Sequence, residues 1–380
     1  MQIEAFPPSD FPQAASANRP SRRRVLLAAA AATASAALPF PRGARAQQAI
    51  NCTFIAGFPP GATFVGSFVK GYVQQVDAAL AKTGKYKINW NLAHSGQIAK
   101  PRGEFEALQG GLGDIAAVPT PYYYDRLPMF EIPFVTPFTT EDPAFLSRVY
   151  SEIEAKYPIY RDVWTKFNMK MLSTTPNADA YVIISKRQIK TLADMRGMKI
   201  AGVGPNLRWL QQVGATPVTA SMADWYTGLN TGLYEAAMAT PQSLGAFKLC
   251  QPAKFLLDPG LGANANVNLC VNLSSFWNRL PDDVKAVFEQ AAPTWDREQL
   301  RLLVDGSKAS MESCTKEFGM TTTRLAPEER LKWATSMDNI AQEWADRLQK
   351  QGMPGREILT FYMDRMREGK QVVTRHWDRA

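Results

Sequence analysis

Two histidines, His94 and His376, and four cysteines, Cys52, Cys250, Cys270 and Cys314, are the scarce side chains that could do acid–base, thiol or metal chemistry in this 380-residue chain. Ser95 follows His94, but adjacency does not make a Ser–His pair. With the second histidine at the far C-terminus, His94 would have to act as base unaided, so it reads as a loop or pocket-lining residue. No cysteines form a C-x-x-C pair, and zinc-ligand spacing is absent. There is no G-x-S-x-G elbow, phosphate loop, G-x-G-x-x-G or H-E-x-x-H. Glu104 and Glu131 could act as paired carboxylates, but a solvated helix face and a loop salt bridge explain them equally. The residues therefore assemble no catalytic constellation, call for no cofactor or metal, and point away from an enzyme.

Composition narrows the class further. Hydrophobic residues make up 46% and charged residues 21%, enough for a sizeable core and for two domains or one elaborated α/β unit. The formal charge is +8, but part of it sits in the first 46 residues, which hold Arg19, Arg22, Arg23, Arg24, Arg42 and Arg45 against Glu4 and Asp10. The remaining surplus is mild and dispersed, which argues against nucleic acid as a partner. The same segment reads as an export signal of the twin-arginine type. Arg22-Arg23-Arg24 precedes an Ala-rich apolar run from Val25 to Leu38, and Ala44-Arg45-Ala46 offers a cleavage point before Gln47. Export makes the compartment periplasmic and disulfides permissible. Four thiols allow three full pairings; Cys250–Cys270 is conceivable, and unpaired buried thiols are an equal alternative.

The elements that must position any site alternate along the chain. Ile50 to Phe58 reads as a strand ending at Pro59-Pro60-Gly61. A helix follows from about Thr63 to Lys82, with Phe64, Phe68, Tyr72, Val76 and Leu80 at four-residue spacing. Lys85 to Ala93 is a second strand, Glu104 to Gly110 a short helix, and Asp114 to Val118 a third strand. A second unit begins near Met171, with strands at 180–185, 197–203, 216–219, 236–239, 255–257 and 267–272, and helices at 206–213 and 222–231. Pro281 opens a long helix reaching about Phe318, which Pro293 is positioned to kink. The tail, Pro327 to Arg367, reads as two amphipathic helices separated by Gly352-Met353-Pro354-Gly355. This order is α/β, and in such sheets ligands sit beyond the C-terminal ends of the strands.

Several segments in fixed order carry a resemblance. They are Ser95-Gly96-Gln97-Ile98, Glu104 to Ala116, Glu131-Ile132-Pro133-Phe134, Ile189 to Ile200, Val213 to Val218, Trp225 to Gly232, and Phe276-Trp277-Asn278-Arg279-Leu280-Pro281. Together they resemble the solute-binding proteins of TRAP transporters, the DctP-type receptors for C4-dicarboxylates and related organic acids. The resemblance implies a periplasmic-binding-protein (type II-like) fold: two α/β lobes with crossing strands and a long inter-lobe helix. Lobe I would hold 47–178 and 267–306, and lobe II 179–266 and 307–380. It also implies capture of a small organic solute, expected to be an organic acid, by lobe closure and delivery to TRAP membrane permease subunits. A sensory protein on the same fold is the alternative.

The resemblance also locates a departure. The position where the family usually carries a carboxylate-clamping arginine is Ala201, and a second family arginine falls at about Tyr181. Family residues after the Thr-Gly turn are replaced by Glu235-Ala236-Ala237-Met238-Ala239. Either another cation substitutes, with Arg208, Lys100 and Arg102 as candidates, or the solute is not a simple carboxylate. The expected ligand-binding residues are Phe58, Gln97, Tyr122, Tyr181, Ala201, Arg208, Thr219, Trp225, Met238, Thr240 and Asn266. Of these, Tyr181, Gln97, Thr219, Thr240 and Asn266 are the neutral hydrogen-bonders. Aromatic residues with Glu131 or Glu235 would instead suit a cationic or aromatic solute.

Overall fold

In the computed structural model, residues 47–379 are described, without the side chains of Asn177, Ala265 and Asn266. The export signal expected at 1–46 therefore lies outside the described residues. Eleven strands occur among them: β1 (Gln48–Ile55), β2 (Tyr86–Ala93), β3 (Ile115–Pro119), β4 (Met169–Ala178), β5 (Val182–Ser185), β6 (Lys199–Gly202), β7 (Thr216–Thr219), β8 (Ala236–Ala239), β9 (Phe255–Asp258), β10 (Asn264–Asn272) and β11 (Thr321–Arg324). They form two sheets, ordered β2-β1-β3-β10-β4 and β11-β9-β5-β8-β6-β7. In the first, β1 runs parallel to β2 and β3, while β10 is antiparallel to both β3 and β4. In the second, β6 is parallel to β7 and β8, and β5 is antiparallel to β8 and β9. The second unit, read from sequence as beginning near Met171, starts later: β4, a strand the sequence reading did not mark, pairs with β10 in the first sheet. Its neighbour settles the matter, because a half-buried strand needs a ladder partner for its backbone groups.

The backbone passes between the sheets from β4 to β5, from β9 to β10, and along the helix Asp282–Phe318 to β11. That helix has 37 residues, about 56 Å at 1.5 Å per residue. Its buried residues Val284, Phe288, Ala291, Trp295, Gln299, Leu303, Ser307 and Cys314 form one stripe, and it continues through Pro293. The stripe is shared. Trp295 Nε1 donates to the carbonyl of Phe64 at 3.1 Å and Gln299 Nε2 to that of Pro176 at 3.0 Å. Further along, Ser310 Oγ donates to the carbonyl of Gln242 at 3.3 Å, and Cys314 is bonded to Cys250.

The expected helix 63–82 forms as α-helical turns at Thr63–Ser67 and Gln74–Thr83 with a π-helical turn, Phe68–Val73, between them. The wider turn sits where Phe68 stacks on Phe54 with ring centroids 3.8 Å apart and on Tyr72 at 5.1 Å. At Gly71 a Cβ would lie 2.9 Å from Glu298 Cβ, so glycine lets this helix approach the long one.

The tail forms three helices rather than two: Pro327–Ser336, Ile340–Lys350 and Gly355–Glu368. The unanticipated break has a local cause. Met337 is extended, and Asn339 caps the next helix by accepting a hydrogen bond from the Gln342 N–H. These helices pack on the proline-rich segment 128–137. Proline lacks an N–H, so that segment builds no ladder and its carbonyls need outside donors. Trp344, Trp209 and Trp377 donate indole N–H groups to the carbonyls of Pro128, Phe134 and Pro137 at 2.7, 2.8 and 2.7 Å, and Tyr160 donates to Met129 at 2.8 Å.

Among the described residues no helix is long and apolar enough to cross a membrane. The disulfide is Cys250–Cys314, with Cα atoms 5.6 Å apart; Cys52 and Cys270 are buried free thiols. This corrects the Cys250–Cys270 possibility. Cys270 lies inside the first sheet, registered with Ala116 and Met171, whereas Cys250 is buried against Cys314 and Met320 beside the second. The bridge closes a sequence separation of 64 residues. Chain-entropy arithmetic gives about 4 kcal/mol for such a loop. Cys314→Ser is expected to lower the urea midpoint accordingly, and a non-reducing peptide map should link 250 to 314 and leave 52 and 270 as thiols. Equal stability of the variant would refute a structural role for the bridge.

Candidate functional site

Parallel strands end with their turns on one side, and five such turns converge. A cavity of about 40 Å³ is lined from the first sheet by Ala62, Thr63 and Phe64 after β1 and by Pro119, Pro121 and Tyr122 after β3. The second sheet contributes Tyr181 before β5, Val203 and Asn206 after β6, Met222 and Trp225 after β7, and Thr240, Gln242 and Phe247 after β8. Two contacts bridge the sides. Gln242 Nε2 donates to the carbonyl of Gly61 at 3.2 Å, and the Ser221 hydroxyl hydrogen-bonds the Tyr122 phenol.

Local chemistry sets these side chains. Thr240 accepts the Ser243 N–H and caps the helix Pro241–Ala246, which fixes Gln242 one turn beyond β8. Asn206 Oδ1 accepts the Val203 N–H at 2.9 Å and closes the turn after β6. Tyr181 packs edge-on against Trp209 and tilted against Phe134. Burial pushes the Tyr122 and Tyr181 phenols up, so both are neutral. Asn206 lies near enough to Tyr181 to oppose that rise slightly, yet its Nδ2 makes no hydrogen bond of ordinary geometry. The indole N–H of Trp225 is likewise buried without an acceptor.

Behind the first-sheet turns stands Glu104. Its carboxylate is fully buried and accepts the N–H groups of Gly57 at 3.0 Å and Arg102 at 2.9 Å, tying two turns together. At Gly57 a Cβ would meet Pro101 N at 2.3 Å, so only glycine fits against this brace. Burial raises the Glu104 pKa to about 7, with the backbone donors pulling the other way.

Of the residues expected from sequence, Tyr122, Tyr181, Trp225 and Thr240 line this cavity. Phe58 lies one layer deeper, edge-on to Phe64 at 5.5 Å. Ala201 is fully buried within β6, registered with Val218 and Ala237 and clustered with Trp225. Met238 is buried in β8 within the other core cluster. Gln97 and Thr219 are exposed outside the lining. Asn266 falls on β10, and its side chain is outside the described residues. Arg208 does not reach the cavity: it pairs with Glu343 at 2.7 Å, its side chain 41% exposed. Lys100 is exposed, and Arg102 lies 5.3 Å over the ring of Tyr122, behind the lining. Glu131 and Glu104 do not serve as a pair, since Glu131 is bonded to Arg347 and Glu104 to the backbone. Glu235 pairs with Arg187 at 3.6 Å. His94 Nδ1 lies 2.9 Å from Ser95 Oγ in an exposed turn outside the cavity. Asn206 and Gln242 were the functional candidates missed, and their position immediately after a strand and a glycine or a helix cap is the signal that could have found them.

A family profile described as bacterial extracellular solute-binding protein, family 7 (DctP), matches residues 66–347. The chain belongs to this DctP family. Its fold is the two-lobe, type II-like α/β fold of TRAP periplasmic solute-binding proteins. The chain is similar to the C4-dicarboxylate-binding periplasmic protein DctP of Vibrio cholerae, at 25% identity over 247 residues, covering 63% of this chain and 70% of that protein. A TRAP solute-binding protein from Rhodoferax ferrireducens, solved with copurified benzoate, superposes with a TM-score of 0.74 at 19% identity, covering 84% of this chain and 98% of that one. One from Bordetella bronchiseptica with bound mandelate gives 0.72 at 19% identity, covering 84% and 99%. DctP-family receptors are transport proteins of the periplasm.

The Glu104 brace has a signed pH consequence. Its folded pKa lies above the ordinary carboxyl value of 4.5, so the stability it favours is complete below that value and is lost as pH rises through about 7. The wild-type urea midpoint minus that of Glu104→Gln is therefore expected to fall between those limits. A difference flat with pH would refute the assignment.

Proposed function

We propose that this chain is the periplasmic receptor of a TRAP-type secondary transporter, exported, closing its lobes over one small organic solute and delivering that solute unaltered to the membrane permease subunits. One observation carries the reading. The cavity is built from turns on both sheets, and two hydrogen bonds, Gln242 to Gly61 and Ser221 to Tyr122, join the two sides. A guest held between both halves touches all its partners only when they are together. Its binding energy then becomes closure energy. At about 40 Å³ the cavity has room for little more than a water molecule, so the halves must part to take in an organic guest. The solved relatives bound to benzoate and mandelate, both small organic acids, support a small organic guest.

Spin labels on the exposed positions Gln97 and Thr219 report the closure. A panel of organic acids, amides and amines should contain at least one compound that shortens the inter-label distance. At a hundred times its dissociation constant it should stabilise the chain by about 2.7 kcal/mol. Gln242→Ala is expected to shift the ligand-free distribution toward longer distances. A distance unmoved by every compound, or mass spectrometry finding the bound compound chemically converted, would overturn the reading.

A further inference from the structure

We infer that the cavity selects an uncharged organic solute presenting a hydrogen-bond acceptor, such as an amide or carbonyl oxygen, rather than a carboxylate. This rests on the receptor reading above and names the solute class of the same site.

Three observations carry it. None of the described residues lining the cavity is Lys, Arg, His, Asp or Glu. Of the neighbouring cations, Arg208 is paired with Glu343 at 2.7 Å, and Arg102, 5.3 Å from the ring of Tyr122, is not itself in the lining. Finally, the lining holds two buried donors without an acceptor at ordinary geometry, Trp225 Nε1 and Asn206 Nδ2, the second close to the Tyr181 phenol, in residues 1% and 0% exposed. Buried donors are nearly always paired, so these mark where a guest's acceptor belongs. A carboxylate brought here would shed its hydration shell for neutral donors and no countercharge. The Glu104 carboxyl on the first-sheet side acts on Tyr122 and opposes an anion, an effect Arg102 offsets in part. A carbonyl gives up only its water hydrogen bonds, which the two donors replace. An ammonium guest would meet those same donors head on and leave them unpaired.

The test uses the chain from Gln47 onward, stripped of bound solute by unfolding and refolding, and calorimetric titration with matched triplets. Each triplet shares one skeleton as amide, acid and amine: benzamide, benzoate and benzylamine, with lactam and short aliphatic sets alongside. The amide is expected to bind at least tenfold more tightly than its acid or amine in at least one set. Trp225→Phe keeps the ring and removes the donor, and should weaken that amide at least fivefold. Asn206→Asp keeps the acceptor for the Val203 N–H, replaces the donor, and should do the same. Unfolding midpoints near wild type show that both variants are folded. An acid or amine bound as tightly as its amide overturns the inference while leaving the receptor reading intact. Failure of every triplet also overturns it. If the inter-label distance then stays fixed with the whole panel, the receptor reading falls too.

Discussion

The whole arrangement depends on one apolar stripe divided between two owners. The helix Asp282–Phe318 buries Val284 to Gln299 against elements of the first sheet and Leu303 to Cys314 against those of the second. A continuous helix resists bending far more than the loops between β4 and β5 or β9 and β10 do. In the closure proposed above, the halves would swing about these crossings. Gln299 sits at the division, fully buried, its Nε2 held by Thr63 and Pro176. A break in that stripe would disconnect the turns that form the cavity while leaving each sheet paired.

Desolvation is the basis of the selectivity inferred above. In a pocket sealed from water, a charge without a counter-charge costs several kcal/mol, while a neutral hydrogen bond is nearly balanced. Ala201 occupies the place where the resemblance implies a guanidinium, and the space around it is shared with Trp225, Val203 and Ala237. The lining that results is aromatic, apolar and neutral. Such a surface rewards shape and acceptor placement over charge.

A second theme is how a proline-rich segment is kept inside the protein. Residues 128–137 offer carbonyls that no ladder satisfies, and aromatic side chains from distant parts of the chain donate to them. Each indole buries a large apolar face while satisfying a polar group at its tip. The C-terminal helices are held to the same segment by these bonds, which links the end of the chain to the wall behind the cavity.

Much of this was legible in the sequence, and the reason is local. Four-residue spacing from Phe64 to Leu80, the strand runs at 115–118 and 182–185, and the stop at Pro59-Pro60-Gly61 are dictated by neighbours in the chain. Residues at the ends of strands, Tyr122, Tyr181, Trp225 and Thr240, were reachable because strand ends fix where loops converge. Charge was a poorer guide. Arg208 is a cation close in sequence to the site, but helix phase turns it toward Glu343, a partner 135 residues away. The same limit governed the thiols, since which strand Cys270 lies on and what faces Cys250 are set by sheet order. The sequence by itself determined most of the elements, the family and the apolar residue at position 201. Only the tertiary structure decided which donors are left without partners, because satisfaction of a buried polar group depends on everything packed around it.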